Sequence, residues 1–151
     1  MIKAYFDGAC EPVNPGGTAA FGALIIEDDK VIYETSDLFK PEKGKEKETS
    51  NNLAEYCALE VVLVYLLENK LNHEEIEVLG DSKLVIHQMF GDPVTRKKWN
   101  INGGIYEERA RACLNLVNLF PNIRGRWIRR ENNTLADNLS KRELKKVGVV
   151  K

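Results

Sequence analysis

Cysteine is scarce and odd in number, with Cys10, Cys57 and Cys113 far apart along 151 residues. That spacing forms neither a zinc pattern nor a paired framework, so the thiols read as reduced and the expected location is cytoplasmic. Glycine (11) and proline (5) are too few for a collagen-like or low-complexity chain. No apolar run reaches the ~18–20 residues that span a bilayer, so no membrane partner is expected. The opening MIKAYFDGAC sets Asp7 where a signal peptide would carry its apolar core, which speaks against secretion. Charge of one sign is also lacking: 22 Lys and Arg face 23 Asp and Glu, for a net charge of −1. With 43% hydrophobic residues, that balance excludes a disordered tail. A Gly-x-Ser-x-Gly elbow, a P-loop and a dinucleotide glycine pattern are all missing.

The balanced total conceals an uneven distribution. Residues 52–92 hold eight acids and two bases, whereas residues 124–146 hold eight bases and three acids. Arg96, Lys97 and Lys98 form a smaller basic cluster before Trp99. Clustered Lys and Arg attract a polyanion locally whatever the total charge, although a solvated helical face has the same composition. The stretch KPEKGKEKE at 40–48 alternates in sign and is expected to be a solvated loop.

Residues 2–9 alternate, with Ile2, Ala4 and Phe6 on one face and Lys3, Tyr5 and Asp7 on the other, which predicts a strand. Turns at 14–17 and 28–30 separate it from strands over 18–27 and 31–39, an antiparallel meander. Leu53 to Leu67 is an almost uninterrupted apolar helix that must be covered on more than one side. A strand over 75–79 and a short helix over 82–89 follow. Next comes a helix from about 101 to 119 with its apolar stripe at Ile105, Ala112, Leu116 and Leu119. A strand over 123–128 and a basic helix over 133–147 complete the pattern. It predicts an α/β domain spanning 1–151, with one five-stranded mixed sheet (three antiparallel strands, then two parallel) and helices on both faces. Right-handed crossovers would set the fourth and fifth strands parallel to the first. Carboxyl ends of neighbouring strands then converge on one crevice.

Four acids from four elements are placed to meet there: Asp7, Glu55, Asp81 and Asp137. Each has an ordinary alternative. Asp7 can accept from a turn amide or pair with a base. Glu55 lies three residues after Asn52, the spacing of a capping box. Asp81 precedes a helix as an N-cap would, and Asp137 lies in a first helical turn, where the macrodipole favours negative charge. Together they form an oxygen-only set suited to magnesium or manganese rather than zinc. Clustered carboxylates need such a cation, and two ions can activate water and stabilise a departing oxygen of a phosphodiester.

The chain resembles type 1 ribonuclease H over nearly its whole length. The matching segments are Tyr5–Cys10 with Asn14–Gly17, Thr49–Glu55, Gly80–Val85, Trp127–Ile128 and Glu131–Asp137. The resemblance implies the ribonuclease H-like fold and hydrolysis of the RNA strand of RNA–DNA hybrids, leaving 5′-phosphate and 3′-hydroxyl ends. It implies two Mg2+ ions, with Mn2+ as substitute, held by Asp7, Glu55, Asp81 and Asp137. It also implies nucleic-acid contacts at Asn14, Gly16, Ser50, Asn51, Asn52, Ser82 and Lys83. An amide side chain both donates and accepts, as sensing a 2′-hydroxyl requires; Ser50 and Ser82 have helix capping as an alternative.

Two features depart from the family pattern. Many members carry a long basic insertion after the short helix, and here the chain runs from Gly91 to Arg96 with no room for one, as in compact archaeal-like forms. Arg96, Lys97 and Lys98 are expected to offset part of the lost phosphate grip, and Trp99 is expected to be a buried anchor. The family's histidine-bearing loop before the last aspartate is shortened to Arg129-Arg130-Glu131, with Arg130 as candidate stabiliser of the departing oxyanion. His73 and His87 are read as bystanders. A resolvase- or integrase-like enzyme is the first alternative, opposed by Glu55 with Asn51 and Asn52 ahead of it. A non-catalytic hybrid-binding module is the second, opposed by the presence of all four acids. Double-stranded RNA stays open as a further substrate, the packing of the Gly148–Lys151 tail is undecided, and the chain is expected to act as a monomer.

Overall fold

The computed structural model describes residues 1–102 and 104–149. Five strands form one sheet: β1 (Ile2–Glu11), β2 (Thr18–Glu27), β3 (Lys30–Leu38), β4 (Ile76–Gly80) and β5 (Ile123–Trp127). Their spatial order is β3-β2-β1-β4-β5. The first three pair antiparallel, and β4 and β5 pair parallel to β1 and β4 respectively, as the sequence pattern predicts.

Four α-helices among the described residues cover this sheet: α1 (Asn51–Glu68), α2 (Lys83–Phe90), α3 (Glu107–Val117) and α4 (Thr134–Lys146). Ile2, Ala4 and Phe6 of β1 pack with Tyr56, Leu59, Val62, Leu63 and Leu66 of α1 in the main core. The opposite face is closed by α4, whose Ala136 and Leu139 pack on Leu24, with Tyr5 and Ile26 against them. The period-two alternation of β1 therefore sends its two sets of side chains to different helices. α1 is covered by the sheet on one side and by α3 on the other, which is why its apolar residues run almost unbroken.

Two glycines let the helices approach closely. A Cβ on Gly8 would lie 2.4 Å from the backbone nitrogen of Glu55, and one on Gly22 would lie 2.7 Å from the carbonyl oxygen of Ala136. Neither gap admits a side chain. Since Asp7 pairs with Gly22 across β1 and β2, both contacts fall beside the same aspartate.

Three expectations change. α3 starts at Glu107 rather than near 101, because Asn102 and Gly104 are poor helix residues. Its buried stripe is Ala110, Cys113 and Val117, whereas Ile105 and Leu119 are exposed. Small Ala and Cys side chains suit a helix packed against α1, and their size made the stripe hard to see. Trp99 is 39% exposed rather than a buried anchor. It lies in a surface segment, its indole N–H donating to Asp92 Oδ2 (3.0 Å) and its ring meeting His87 edge-on. The 42–48 loop is exposed as expected, with a single 3-10 turn at Glu46–Glu48. Gly148 and Val149 close α4, their amides donating to Lys145 O and Leu144 O in a Schellman-type cap. Val150 and Lys151 lie outside the described residues.

Candidate active site

The last β1–β4 pair is Tyr5 with Leu79. Asp7 and Asp81 each stand two residues beyond it, where the neighbouring strands part. That opening lets Glu55 enter from α1, and carboxylate oxygens of Asp7, Glu55 and Asp81 all lie within 4.8 Å of one another. Asp7 and Glu55 are each 4% exposed, and Asp81 is half-buried.

The structure removes two of the ordinary alternatives. The N-cap of α1 is Ser50, whose Oγ accepts from Leu53 N (3.2 Å), so Glu55 lies beyond the capping-box position. Ser82 caps α2 by accepting from Val85 N (3.2 Å), which leaves Asp81 without a capping duty. Each serine thus supplies the hydrogen bond that keeps a helix N-terminus satisfied, typically worth ~1 kcal/mol. Ser50 is also buried, which sets it back from a phosphate.

Asp137, in the first turn of α4, adjoins this trio without belonging to the compact set. Its Oδ2 lies 3.0 Å from Lys141 Nζ and its Oδ1 3.6 Å from Arg130. Asn133 donates through Nδ2 to Phe6 O (3.0 Å), tying the start of α4 to β1. Ser140, one turn on, donates toward Asp7 Oδ2 (3.1 Å). Ser140 and Asn133 were not singled out as site residues from the sequence. The signal was available, since they fall three residues after and four before Asp137 on the same helical face.

Electrostatics follow from crowding. Burial, then the neighbouring Asp81 and Asp137, push the Asp7 carboxyl up to about 8, with the Ser140 hydroxyl pulling the other way. Burial first, and then Asp7 and Asp81, raise Glu55 well above the usual carboxylate range. Burial also raises Asp81, opposed by Arg130. Like charges in a dry pocket cannot all ionise without a cation. Buried Glu55 Oε2 has no hydrogen-bond partner, and Asp137 Oδ1 has none beyond the Arg130 guanidinium at 3.6 Å. An unsatisfied carboxylate oxygen in an all-oxygen set fits a hard divalent ion.

The nucleic-acid candidates divide. Asn14 and Asn51 are held as a pair: Asn14 Nδ2 donates to Asn51 Oδ1 (2.7 Å), and Asn51 N donates to Asn14 Oδ1 (3.1 Å). Gly16 is exposed, and its amide donates to Thr49 O (2.7 Å), fixing the 12–17 turn against the start of α1. Asn52 is half-buried on the first turn of that helix. Lys83 is exposed beside Asp81, and Arg130 is exposed beside Asp137. Lys97 and Lys98 occupy the surface turn built on Asp92, which binds Val94 N (2.7 Å) and Arg96 N (2.7 Å). His87 is buried and His73 lies in a loop, neither in the acidic trio.

A mixed sheet in the order β3-β2-β1-β4-β5, with carboxylates gathered where β1 and β4 part, is a ribonuclease H-like fold. The reverse transcriptase-like family matches residues 5–143, and the chain belongs to that family, with its similarities to type 1 ribonucleases H. RNase H1 of the archaeon Halobacterium salinarum is 29% identical, with a TM-score of 0.76 over 96% of this chain and 98% of that one. LC11-RNase H1, isolated from compost and solved with an RNA/DNA hybrid, is 29% identical, with a TM-score of 0.77 over 97% and 99%. The bifunctional protein Rv2228c of Mycobacterium tuberculosis is 32% identical over 127 residues, or 84% of this chain. The chain spans only 31% of that relative's length. The relative's N-terminal RNase H domain, solved as a fusion, has a TM-score of 0.74 over 97% of this chain and 96% of that one.

Proposed function

We propose that residues 1–151 form one ribonuclease H domain that hydrolyses the RNA strand of RNA–DNA hybrids, leaving 5′-phosphate and 3′-hydroxyl ends. The observation that carries this reading is the convergence of Asp7, Glu55 and Asp81, with Asn51 of the hydrogen-bonded Asn14–Asn51 pair one helical turn before Glu55 on α1. Asp7, Glu55, Asp81 and Asp137 would hold two divalent ions, Mg2+ with Mn2+ as substitute. Bound there, such ions supply an activated water and neutralise charge on a phosphodiester.

The remaining work falls to the chain's own groups. Asn14, Asn51 and Asn52 offer both donors and acceptors to a 2′-hydroxyl, the group that marks RNA against DNA. Gly16 presents backbone to the groove, Lys83, Lys97 and Lys98 offer phosphate contacts, and Ser82 offers its hydroxyl hydrogen. Arg130 lies at the edge of the acidic site, where a guanidinium can stabilise negative charge as it develops. Arginine stays protonated at neutral pH and therefore cannot shuttle protons. The domain is read as a monomer. Three free, buried cysteines fit a reducing compartment such as the cytoplasm, and no described helix is long and apolar enough to cross a membrane.

The test is a parallel digest of RNA–DNA, RNA–RNA and DNA–DNA duplexes with Mg2+ or Mn2+, using wild type and Asp7→Asn. The hybrid should be cut by wild type alone, with Asp7→Asn still binding it in Ca2+. Normal cleavage by the variant would refute the site. The RNA–RNA lane decides whether double-stranded RNA is a second substrate.

A further inference from the structure

Trp127 closes β5 within the Trp-Ile pair, which the site described above does not use. Because β5 runs parallel to β4 with Trp127 opposite Gly80, its ring falls beside the first residue beyond β4, which is Asp81. The indole N–H donates to the Asp81 carbonyl oxygen (3.0 Å), and Ile128 N donates to Gly80 O (2.9 Å). The face of the same ring lies 4.6 Å from Lys83 Nζ. Trp127 is 36% exposed, so these contacts, and not filling of the core, account for a large aromatic at this position.

The two contacts grip the residues on either side of Ser82, the cap of α2. Held carbonyl oxygens on Gly80 and Asp81 fix the peptide planes on both sides of Asp81, and the two planes together set the direction in which its side chain leaves the backbone. Asp81 is also the least buried of the three converging carboxylates, and so the one that packing holds least. A ligand set must be held within ~0.5 Å by groups outside it. The ammonium of an exposed lysine is otherwise free to wander, and an aromatic face gives it a preferred place.

We propose that Trp127 is a positioning residue with two arms: its N–H sets the Asp81 carboxylate for a divalent cation, and its ring holds the Lys83 ammonium beside that site for a substrate phosphate. The inference rests on the ribonuclease H reading above and adds a residue to it.

Trp127→Phe separates the arms, since it keeps an aromatic face and removes the donor. Calorimetric titration with Mn2+ alone, without nucleic acid, should show affinity reduced about 10-fold or more, the usual effect of losing an outer partner of a metal ligand. kcat on a hybrid should fall with KM close to wild type. Trp127→Ala should additionally raise KM, and Lys83→Met should raise KM without weakening Mn2+ binding. Wild-type Mn2+ affinity in Trp127→Phe overturns the first arm, and equal KM in Trp127→Phe and Trp127→Ala overturns the second. Asp81→Asn tests the underlying reading by itself: if it still binds Mn2+ normally, the metal site fails, and not merely the role of Trp127. A measurement on the unaltered protein covers the case of a misfolded variant. On titration with Mg2+, the Trp127 indole 15N–1H resonance should shift while that of Trp99, bonded to Asp92, stays in place. A stationary Trp127 signal at saturating Mg2+ overturns the proposal.

Discussion

The hydroxyl of Ser140 on α4 lies 3.1 Å from Oδ2 of Asp7 on β1, a contact between residues 133 positions apart. The same hydroxyl lies 2.9 Å from the Asp137 carbonyl oxygen, so one hydrogen is shared between two acceptors. Ser140 is fully buried, and its hydrogen bond opposes the upward push on the Asp7 carboxyl. Ser140→Ala should therefore raise that carboxyl further and move the acid limb of the kcat/KM pH profile to higher pH. Activity should fall ~10-fold, the usual loss when an outer partner is removed from a metal ligand, the role proposed for Asp7. An acid limb that stays in place would show that the hydroxyl serves α4 alone.

Crowded carboxylates make the metal-free protein sensitive to pH. Asp7 ionises near 8 in the folded chain against an ordinary value of 3.8, so between those values the folded state binds more protons than the unfolded state. Stability must fall as pH rises through that window. Melting temperature without divalent ions should drop between pH 5 and pH 8, by ~2–4 °C for each kcal/mol in a chain of this size. Mg2+ or Mn2+ should restore more at pH 8 than at pH 5, while Asp7→Asn should melt higher than wild type at pH 8 without metal. Equal metal-induced shifts at the two pH values would contradict the crowding argument.

Gly8 is the point where α1 rests on β1. Its missing side chain leaves 2.4 Å between a would-be Cβ and Glu55 N, and 2.6 Å to the Ala54 carbonyl carbon. Both neighbours are backbone, so Gly8→Ala must push the first turns of α1 away from the sheet. Overpacking of this kind costs ~1–3 kcal/mol. The displaced residue is Glu55 itself, so cleavage should fall at least ~100-fold even at temperatures where the variant is folded, since small misplacements carry penalties of that size. Circular dichroism with a hybrid cleavage assay checks this; a folded, fully active variant would show that Glu55 tolerates the shift.

The surface turn at residues 92–99 is a candidate for phosphate contact. Lys97 and Lys98 are both exposed there. Replacing both by Ala should weaken hybrid binding and flatten the plot of log affinity against log salt by roughly 1–2, the slope expected from losing one or two phosphate contacts. An unchanged slope in a salt series of binding isotherms would mean that these lysines only solvate the turn.

Much of this fold is legible in local pattern. The alternation of β1, the apolar run of α1 and the short turns between β1, β2 and β3 are consequences of side-chain direction over a few residues. The edges of these elements therefore fall within two residues of expectation. The stripe of α3 departs from local pattern because its buried members include Ala110 and Cys113, whose small size answers to a neighbouring helix and not to local hydrophobicity. Trp99 is exposed for a related reason: an aromatic favours burial only where the surrounding chain provides an interior, and residues 93–100 are all exposed.

Which acids exist, which elements bear them and which motifs surround them can all be read from residue order alone. That order leaves Glu55 and Asp81 each divided between a capping role and a ligand role, because both roles require the same residue at the same spacing. The folded chain removes the capping role, since Ser50 and Ser82 cap the helices, and the parting of β1 from β4 after Tyr5 and Leu79 brings the acids together. Only the fold could reveal Ser140 beneath Asp7 and Trp127 beside Asp81. The reason is physical. Capping and periodicity act within a helical turn or a strand, whereas the crowding of carboxylates and the bonds that orient them depend on distances that pairing and packing alone can set.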